Sequence, residues 1–195
     1  MRLLIATTNL DKLREIRELL GHLPVELLTL RDFPAVPEPE ETGTTFQENA
    51  RLKARYYEAR LRPNAATVAE DSGLEIDAMN REPGVYSARF VRPDASYPER
   101  FTEIFRRLAG VPDRERTGRF VCAIAVVRDG QLVYETTGIV EGLITAAARG
   151  EQGFGYDPIF YYPPYGKTLG EVDQRDKLAV AHRGAAFRQL AAWLA

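Results

Sequence analysis

The sequence predicts an α/β fold, with an elongated central mixed β-sheet, helices on its faces and a second lobe formed by the middle of the chain. Three observations support this class. The first 78 residues alternate between strand and helix patterns, the middle carries a β-hairpin pattern, and the chain closes on a helix. A length of 195 residues fits a single domain, residues 1–195, in which two lobes flank a cleft.

Composition excludes several classes of function. The formal net charge is −2, so the chain has no basic field for wrapping duplex nucleic acid. Its one cysteine, Cys122, excludes an internal disulfide or a cysteine-based zinc site and is expected to be a small core residue. The apolar start is too short for a signal peptide, and no run approaches the roughly 20 apolar residues of a membrane helix. We therefore expect a soluble cytoplasmic protein.

The chain begins with a strand, a polar turn and a helix. Leu3–Ala6 is a short apolar run, typical of a strand covered on both faces. Asn9 or Asp11 is the natural N-cap of the helix that follows, and Gly21 its natural end. The free N–H groups of a helix start, together with the charge of Lys12, form a candidate anion site. An ordinary capped turn with a solvated lysine explains the same pattern, and the glycines of a P-loop are missing.

A second strand and a second helix follow, separated by an irregular loop. Val25–Leu30 has the composition of a strand. Residues 31–43 carry prolines and then acids, so no regular element persists there, and a loop of this length is a candidate functional segment. Thr44 or Thr45 is the predicted cap of the next helix, and Glu48 is at the capping-box position if Thr45 is the cap. The loop acids Glu40 and Glu41 are candidate metal ligands, with a solvated acidic loop as the alternative.

The functional interpretation depends on the stretch Thr67–Gly73. A short apolar strand runs into Glu70, Asp71, Ser72 and a glycine. Two adjacent carboxylates repel one another and are costly to bury without a partner, so a strand end of this kind suits a metal ion. A strand that leaves the core into a polar turn is the alternative. Ser72 lacks a nucleophile-elbow context, which argues against covalent serine catalysis.

The middle and the end of the chain contain a hairpin and two further helices. Leu74–Ala78 alternates like a strand, and Tyr97–Leu108 has an apolar helical face. Arg119–Val127 and Gln131–Val140 flank an Asp-Gly pair, which is the strongest hairpin pattern in the sequence. The last helix is predicted to start near Asp176.

Glycines alternate with aromatic residues shortly before that last helix. Glycine lets a ligand approach the backbone, and Phe154 and Tyr156 could stack on a nucleobase, with core packing as the alternative for both. Asp157 and Arg183 could read base edges, one as acceptor and the other as donor. His182 pairs with no second histidine at metal spacing, so zinc is not expected, and a structural histidine is the alternative.

Several ordered segments of the chain match the motifs of one known family. They are Ala6–Asn9 with Lys12 and Glu15, Glu41–Phe46 with Glu48–Ala50, Lys53-Ala54, Glu70–Leu74, Pro83–Arg89, Gly153–Phe160, and Lys177 with His182–Gly184. On these segments the chain resembles the Ham1/RdgB family of inosine and xanthosine triphosphate pyrophosphatases. Small residues depart from the family pattern at the edges of motifs, namely Thr8, Ala148, Gly170 and Ala181, and these departures bear on substrate preference rather than on the reaction.

The resemblance implies hydrolysis of non-canonical purine nucleoside triphosphates (ITP, dITP, XTP and dXTP) to the monophosphate and pyrophosphate. It also implies an ITPase-like fold of the Maf/Ham1 type with an active-site cleft between lobes, a requirement for Mg²⁺ and a homodimer. Asp71 is then the proton acceptor that activates water for attack at the α-phosphorus. The predicted metal ligands are Asp71 and either Glu40 or Glu41. Glu70 is predicted to orient metal-bound water or to adjust the basicity of Asp71.

The predicted substrate contacts divide into phosphate and base contacts. Arg183 is predicted to donate to the 6-oxo group of hypoxanthine and xanthine, which adenine lacks. The predicted phosphate-binding residues are Thr7, Thr8, Asn9, Leu10, Asp11 and Lys12, assisted by Ser72 and Lys177. The predicted base pocket comprises Phe154, Gly155, Tyr156, Asp157, His182 and Arg183.

Two other functions stay open on the sequence. One is a Maf-like pyrophosphatase for other nucleotides, which a comparison of ITP with dTTP and dUTP hydrolysis would separate. The other is a non-catalytic nucleotide-binding sensor, which an assay of phosphate release with Mg²⁺ would separate. The presence of both acidic pairs, Glu40-Glu41 and Glu70-Asp71, and of Lys12 argues against a non-catalytic sensor.

Overall fold

The computed structural model describes residues 1–195. Its helices and strands in chain order are β1 (Arg2–Ile5), α1 (Leu10–Leu20), β2 (Glu26–Thr29), α2 (Phe46–Leu61), β3 (Ala66–Ile76), α3 (Tyr97–Arg107), β4 (Thr117–Arg128), β5 (Gln131–Ile144), β6 (Phe160–Tyr162), β7 (Lys167–Thr168), α4 (Gln174–Val180) and α5 (His182–Leu194). None of the helices has the length and apolar character needed to cross a membrane.

The strands form one mixed sheet in the order β2-β1-β3-β4-β5-β6-β7. Strand β1 runs parallel to both β2 and β3, whereas β6 pairs antiparallel with β5 and with β7. A parallel segment entered through helical crossovers and an antiparallel segment thus share one sheet, with helices flanking it. The predicted α/β class with a central mixed sheet is confirmed.

The chain divides into two compact units. Unit 1 comprises Met1–Ser72, Cys122–Gly138 and His182–Ala195, and unit 2 comprises Gly73–Val121 and Ile139–Ala181. Strands β3, β4 and β5 each pass from one unit into the other along the chain. The prediction of a single domain whose two lobes flank a cleft stays a prediction.

The core of unit 1 is built on β1 and α1. Because β1 is paired on both sides and covered on both faces, Leu3, Leu4 and Ile5 are all buried. Helix α1 adds Ile16 and Leu20 from its apolar face, and burying each such side chain contributes roughly 1.5–3 kcal/mol. The same core contains Leu13, Ala66, Val68, Cys122, Ile124, Val126, Ala186, Phe187 and Leu190, so the core assignment of Cys122 is confirmed.

Local capping explains where α2 begins. Thr45 Oγ1 accepts a hydrogen bond from Glu48 N at 3.1 Å, and the Glu48 carboxylate accepts one from Thr45 N at 3.2 Å. This reciprocal capping box satisfies N–H groups that a helix start leaves unpaired. Of the two predicted caps, Thr45 is therefore confirmed.

The hairpin pattern is confirmed, whereas the boundary of the last helix is wrong. Asp129 and Gly130 connect β4 and β5 and both have positive φ angles, 50° and 75°, as a two-residue hairpin turn requires. The single closing helix is instead two helices, α4 and α5. They are separated by Ala181, whose ψ of 155° is extended rather than helical.

Unit 2 has its own apolar core around α3. Ser96 and Glu99 form a capping box at the start of this helix, which buries Phe101 and Ile104. Other members of this core are Leu74, Ile76, Met79, Phe90, Leu108, Phe120, Val140, Ile144, Tyr156, Ile159, Phe160 and Leu169.

Candidate active site

The acid-rich stretch lies inside strand β3, not at its end. The strand continues from Ala66 to Ile76, so the expectation of a strand end followed by a turn and a separate strand is wrong. Side chains alternate along a strand, which sends Glu70 and Asp71 to opposite faces. Glu70 contacts Lys12 of α1, whereas Asp71 contacts Lys53 of α2. The charged strand can persist because each carboxylate has its own cation.

Asp71 belongs to a connected cluster with Lys53, Glu41 and Asn49. The Lys53 ammonium lies 2.8 Å from Asp71 Oδ1 and 2.8 Å from Glu41 Oε1, so it bridges two carboxylates. The Asn49 side-chain amide donates to Asp71 Oδ2 at 3.1 Å. Asp71 is only 6% exposed, yet both of its oxygens have partners.

Helix α2 and the acidic loop supply this cluster together. Asn49 and Lys53 are four residues apart on α2 and therefore share one face. Asn49 Oδ1 also accepts a hydrogen bond from Gly43 N at 2.8 Å. A Cβ at residue 43 would lie 2.5 Å from that oxygen, so glycine is what allows the loop to come this close. The side chain that holds Asp71 thus also anchors the loop that carries Glu41.

The electrostatics of the cluster favour a basic carboxylate. Burial raises the pKa of Asp71, the Lys53 ammonium lowers it and the Glu41 charge raises it again, so the pKa lies above the ordinary value. Burial lowers the pKa of Lys53, but Asp71 and Glu41 more than offset that effect and leave it raised. Lys53 therefore stays charged, while Asp71 holds a proton more readily than an ordinary aspartate. That property suits a general base.

Glu70 lies on the opposite face of β3 in a strongly cationic environment. Its Oε1 is 2.7 Å from Lys12 Nζ and 3.6 Å from Arg183 Nη2. The thiol of Cys122 donates to Glu70 Oε2 at 3.4 Å. Burial by itself would raise the pKa of Glu70, but Lys12 and Arg183 outweigh it and hold the pKa well below its ordinary value. At neutral pH Glu70 is thus an ionised counter-ion of two cations.

Arg183 is fully enclosed at the start of α5 and joins three elements of unit 1. Its Nη1 donates to Glu15 Oε2 on α1 at 2.6 Å, and its Nη2 donates to Ser72 Oγ on β3 at 3.0 Å. The side chain is only 2% exposed. The structure therefore places Arg183 among acids and a hydroxyl, and its predicted role as a reader of the purine 6-oxo group stays a prediction.

The turn between β1 and α1 is organised by Asn9. Its Oδ1 accepts hydrogen bonds from Asp11 N at 2.9 Å and Lys12 N at 3.1 Å, which confirms Asn9 as the N-cap. Asn9 N donates in turn to Thr7 Oγ1 at 3.2 Å. Two N–H groups that we expected to face an anion are therefore satisfied internally. The positive charge of this turn comes from Lys12, which remains 18% exposed beside Glu70.

In unit 2, the glycine-rich loop folds around Asp157. Asp157 Oδ2 lies 2.7 Å from Lys177 Nζ and accepts a hydrogen bond from Phe154 N at 2.8 Å. Lys177 Nζ also lies 4.6 Å from the centre of the Phe154 ring, within cation–π range. Gly153 has a φ of +71°, and a Cβ there would lie 2.2 Å from Asp157 Oδ2. Tyr156 is 4% exposed and packs in the core of unit 2, and its stacking on a base stays a prediction.

The remaining predicted residues differ in where they lie and in how exposed they are. Of the two loop acids, it brings Glu41 to the lysine that Asp71 binds, whereas Glu40 is exposed. His182 is buried at the start of α5, and Thr8 and Leu10 are exposed in the first turn. The predicted residues thus fall into a group in unit 1 and a group in unit 2.

Three residues outside the predicted site complete the unit 1 group. Asn49 and Lys53 hold Asp71 across 22 and 18 residues of sequence, and Glu15 holds Arg183 across 168 residues. All three lie within the motif segments that matched. The i, i+4 spacing of the amide and the amine on one helical face was the pattern that could have identified the first two.

The carboxylates of the unit 1 group are compatible with binding a magnesium ion. No three His, Cys, Asp or Glu side chains cluster closely enough to hold a metal ion. Glu41 and Asp71 nevertheless converge, because each has an oxygen 2.8 Å from the same ammonium. Mg²⁺ takes one or two carboxylates and completes its shell with water and phosphate oxygens. The residues fit an ion of this kind that is bound together with a phosphate ligand.

The fold is that of an α/β protein. A polar cluster of lysines and acids lies just beyond the carboxyl end of the parallel strand β1, the usual place for ligands in open α/β sheets, and is therefore the candidate site. The sequence model of the Ham1 family matches residues 3–193. The chain belongs to the Ham1 family, as the motif segments predicted.

Curated relatives and solved structures match over nearly the whole chain. A dITP/XTP pyrophosphatase of Acidobacterium capsulatum is 45% identical, covering 100% of this chain and 98% of the relative. One from Geobacillus kaustophilus is 43% identical, covering 96% and 91%. The structure of a HAM1 protein from Coxiella burnetii superposes with a TM-score of 0.89 at 39% identity, covering 100% of this chain and 98% of that one. The Staphylococcus aureus Ham1 structure gives the same TM-score at 32% identity and the same coverage.

Proposed function

We propose that this chain is a nucleoside triphosphate pyrophosphatase that hydrolyses non-canonical purine nucleotides, dITP, ITP and XTP, to the monophosphate and pyrophosphate. The observation that carries the proposal is the match to relatives named dITP/XTP pyrophosphatase, at 45% and 44% identity over 100% and 98% of this chain. The acid–base cluster on β3 supplies groups suited to that reaction.

In this proposal Asp71 accepts the proton of the attacking water. The water oxygen forms a bond to the α-phosphorus, the bond between that phosphorus and the bridging oxygen breaks, and pyrophosphate leaves. Lys53 and Asn49 each bind one Asp71 oxygen and so orient the carboxylate. The raised pKa of Asp71 brings it closer to the working pH, where a general base is most effective.

Glu41 and Asp71 are the residues that would hold Mg²⁺. The ion, when bound, neutralises charge on the phosphates and on the departing pyrophosphate. Lys53 holds the two carboxylates close together, because its ammonium lies 2.8 Å from an oxygen of each. We assign Glu70 a different role, as counter-ion of Lys12 and Arg183, because it lies on the other face of β3.

Substrate contacts outside the cluster remain part of the proposal. Lys12 is the cation of the first turn that is available to phosphates, being partly exposed beside Glu70. Phe154, held by its backbone on Asp157, is the candidate for stacking on the base. The proposal also includes a homodimer, which the family resemblance implies, and a cytoplasmic location.

The test is a substrate panel with Mg²⁺, scored for pyrophosphate. ITP, dITP and XTP are expected to be hydrolysed far faster than ATP, dTTP or dUTP, and faster hydrolysis of the pyrimidine nucleotides would favour a Maf-like activity instead. Asp71→Asn is expected to abolish pyrophosphate release. The matched control Asp113→Asn changes a carboxylate that is 86% exposed and should leave the rate unchanged. Full activity of Asp71→Asn would remove Asp71 from the mechanism.

A further inference from the structure

Arg100 of α3 is a buried cation without an acid. It is 4% exposed, and none of the ion pairs of the structure includes it. The other buried cations do have acids, as with Lys177 on Asp157 and Arg183 on Glu15. Burying a guanidinium without a carboxylate is costly, so the presence of Arg100 at this buried position needs an explanation.

Backbone carbonyls take the place of the missing carboxylate. Arg100 Nη2 donates to Ala88 O at 2.8 Å and to Pro93 O at 3.4 Å, and the guanidinium lies 4.8 Å from the centre of the Tyr97 ring. Ala88 is the penultimate residue of a short 3₁₀ segment, Gly84–Arg89, that has no side-chain cap. Arg100 therefore ties this segment and the residues after it to α3.

The segment that Arg100 holds is also the anchor of the glycine-rich loop. The Tyr156 hydroxyl donates to Ser87 O at 2.8 Å, one residue before the carbonyl that Arg100 binds. The Tyr97 ring, on which the guanidinium lies, meets the Tyr156 ring edge-on at 5.3 Å. A Cβ on Gly155 would come within 3.5 Å of the Tyr97 hydroxyl. The loop thus rests on Tyr97 and on the 84–89 segment, and Arg100 binds both.

The same segment is tied back to strand β3. Ser87 Oγ donates to Gly84 O at 2.6 Å and accepts a hydrogen bond from Leu74 N at 2.9 Å. Leu74 follows Asp71 by three residues on the strand. Within unit 2, a continuous chain of contacts therefore runs from β3 through Ser87 and Arg100 to Tyr156.

We propose that Arg100 is a positioning residue that sets the position of the base-recognition loop through Tyr97, the 84–89 segment and Tyr156. This inference rests on the proposed function, in which the loop bearing Phe154 contacts the base. The contacts of Arg100 are with backbone carbonyls and the Tyr97 ring, so in this proposal it acts on the substrate only through the loop. It determines selectivity because a displaced loop loses contacts with the base, while the acid–base cluster of unit 1 is unaffected.

The first experiment measures amide hydrogen exchange in residues 153–157 of the full-length protein. Arg100→Met is expected to speed exchange in this loop about tenfold, since one charge-assisted anchor is lost. Tyr156→Phe removes only the anchoring hydroxyl and should speed the same amides. The matched control Arg106→Met lies on the same helix, is 70% exposed and should change nothing. Unchanged exchange in both anchor variants would overturn the proposal.

The second experiment compares steady-state kinetics with ITP and GTP. In both anchor variants KM for ITP is expected to rise about tenfold, with kcat changed by less than about twofold and a smaller preference for ITP over GTP. The double variant should be no worse than either single one, because both act on one anchor. Additive losses, or equal falls in kcat for both nucleotides, would contradict the proposal. If the unaltered protein releases no pyrophosphate from ITP, dITP or XTP, the proposed function fails and the exchange measurements alone decide the role of Arg100.

Discussion

Neutralising two adjacent acids is expected to have opposite effects on stability. Glu70→Gln removes the counter-ion of buried Arg183 and of partly exposed Lys12, whereas Asp71→Asn removes a charge that burial already disfavours. Neighbours in sequence would normally share an environment. Here the alternation of β3 places them on opposite faces, so their substitutions should differ in sign as well as in size.

The magnitude follows from the distances. At an effective dielectric constant of about 20, Lys12 at 2.7 Å and Arg183 at 3.6 Å attract Glu70 by about 6 and about 5 kcal/mol. Desolvation cancels much of this attraction, and removing one partner of a buried pair typically costs about 3–5 kcal/mol. Arg183 keeps Glu15, so we expect Glu70→Gln to lower the free energy of unfolding by about 3 kcal/mol.

Asp71→Asn should instead leave stability unchanged or raise it by up to about 1 kcal/mol. Lys53 keeps its ion pair with Glu41, and the new amide oxygen can still accept from Asn49. Urea unfolding of both variants at neutral pH measures the difference directly. Equal losses in the two variants would refute the assignment of separate environments to the two acids.

The pH dependence of the two variants should differ as well. Because the pKa of Glu70 is lowered in the fold, its stabilisation is present above the ordinary value of 4.5 and is lost as the pH falls below it. The deficit of Glu70→Gln should therefore shrink on acidification. The pKa of Asp71 is raised, so its ionisation destabilises the fold as the pH rises through that pKa, and any gain from Asp71→Asn should disappear in acid. Urea unfolding at neutral pH and at pH 4 tests both signs.

Three further substitutions test individual contacts. Thr67→Val should raise the free energy of unfolding by about 1 kcal/mol, because the Thr67 hydroxyl is fully buried without a partner, and a lower melting temperature would contradict this. Gly43→Ala should lower the free energy of unfolding by about 1–3 kcal/mol and slow pyrophosphate release, because the new methyl group displaces Asn49. An unchanged rate and melting temperature would show that the loop accommodates the methyl group without moving Asn49. Lys53→Met should cost about 3 kcal/mol by leaving two carboxylates facing each other, and the double variant with Asp71→Asn should recover part of that loss in urea unfolding.

Local chemistry made much of this protein predictable from its sequence. The apolar run of β1 and the caps Asn9 and Thr45 act over a few residues, so their patterns predicted where α1 and α2 begin. The Asp129-Gly130 turn predicted the hairpin for the same reason, since both residues adopt positive φ. The ordered motifs also identified the family, because they sample the whole chain.

The composition of the site depended on contacts between distant segments, which only the tertiary structure decided. The sequence singled out Asp71 but grouped it with Glu70, because nothing local showed that β3 continues through both acids. Lys53 was not among the predicted site residues, because the two acids that this lysine bridges lie 12 and 18 residues away along the chain. The sequence assigned Arg183 to the base, which stays a prediction, and it did not show that the guanidinium also binds Glu15 on α1. Residue types identify the chemistry that is available, but the pairing of buried charges follows from packing, since each charge takes the partner that the fold brings within reach.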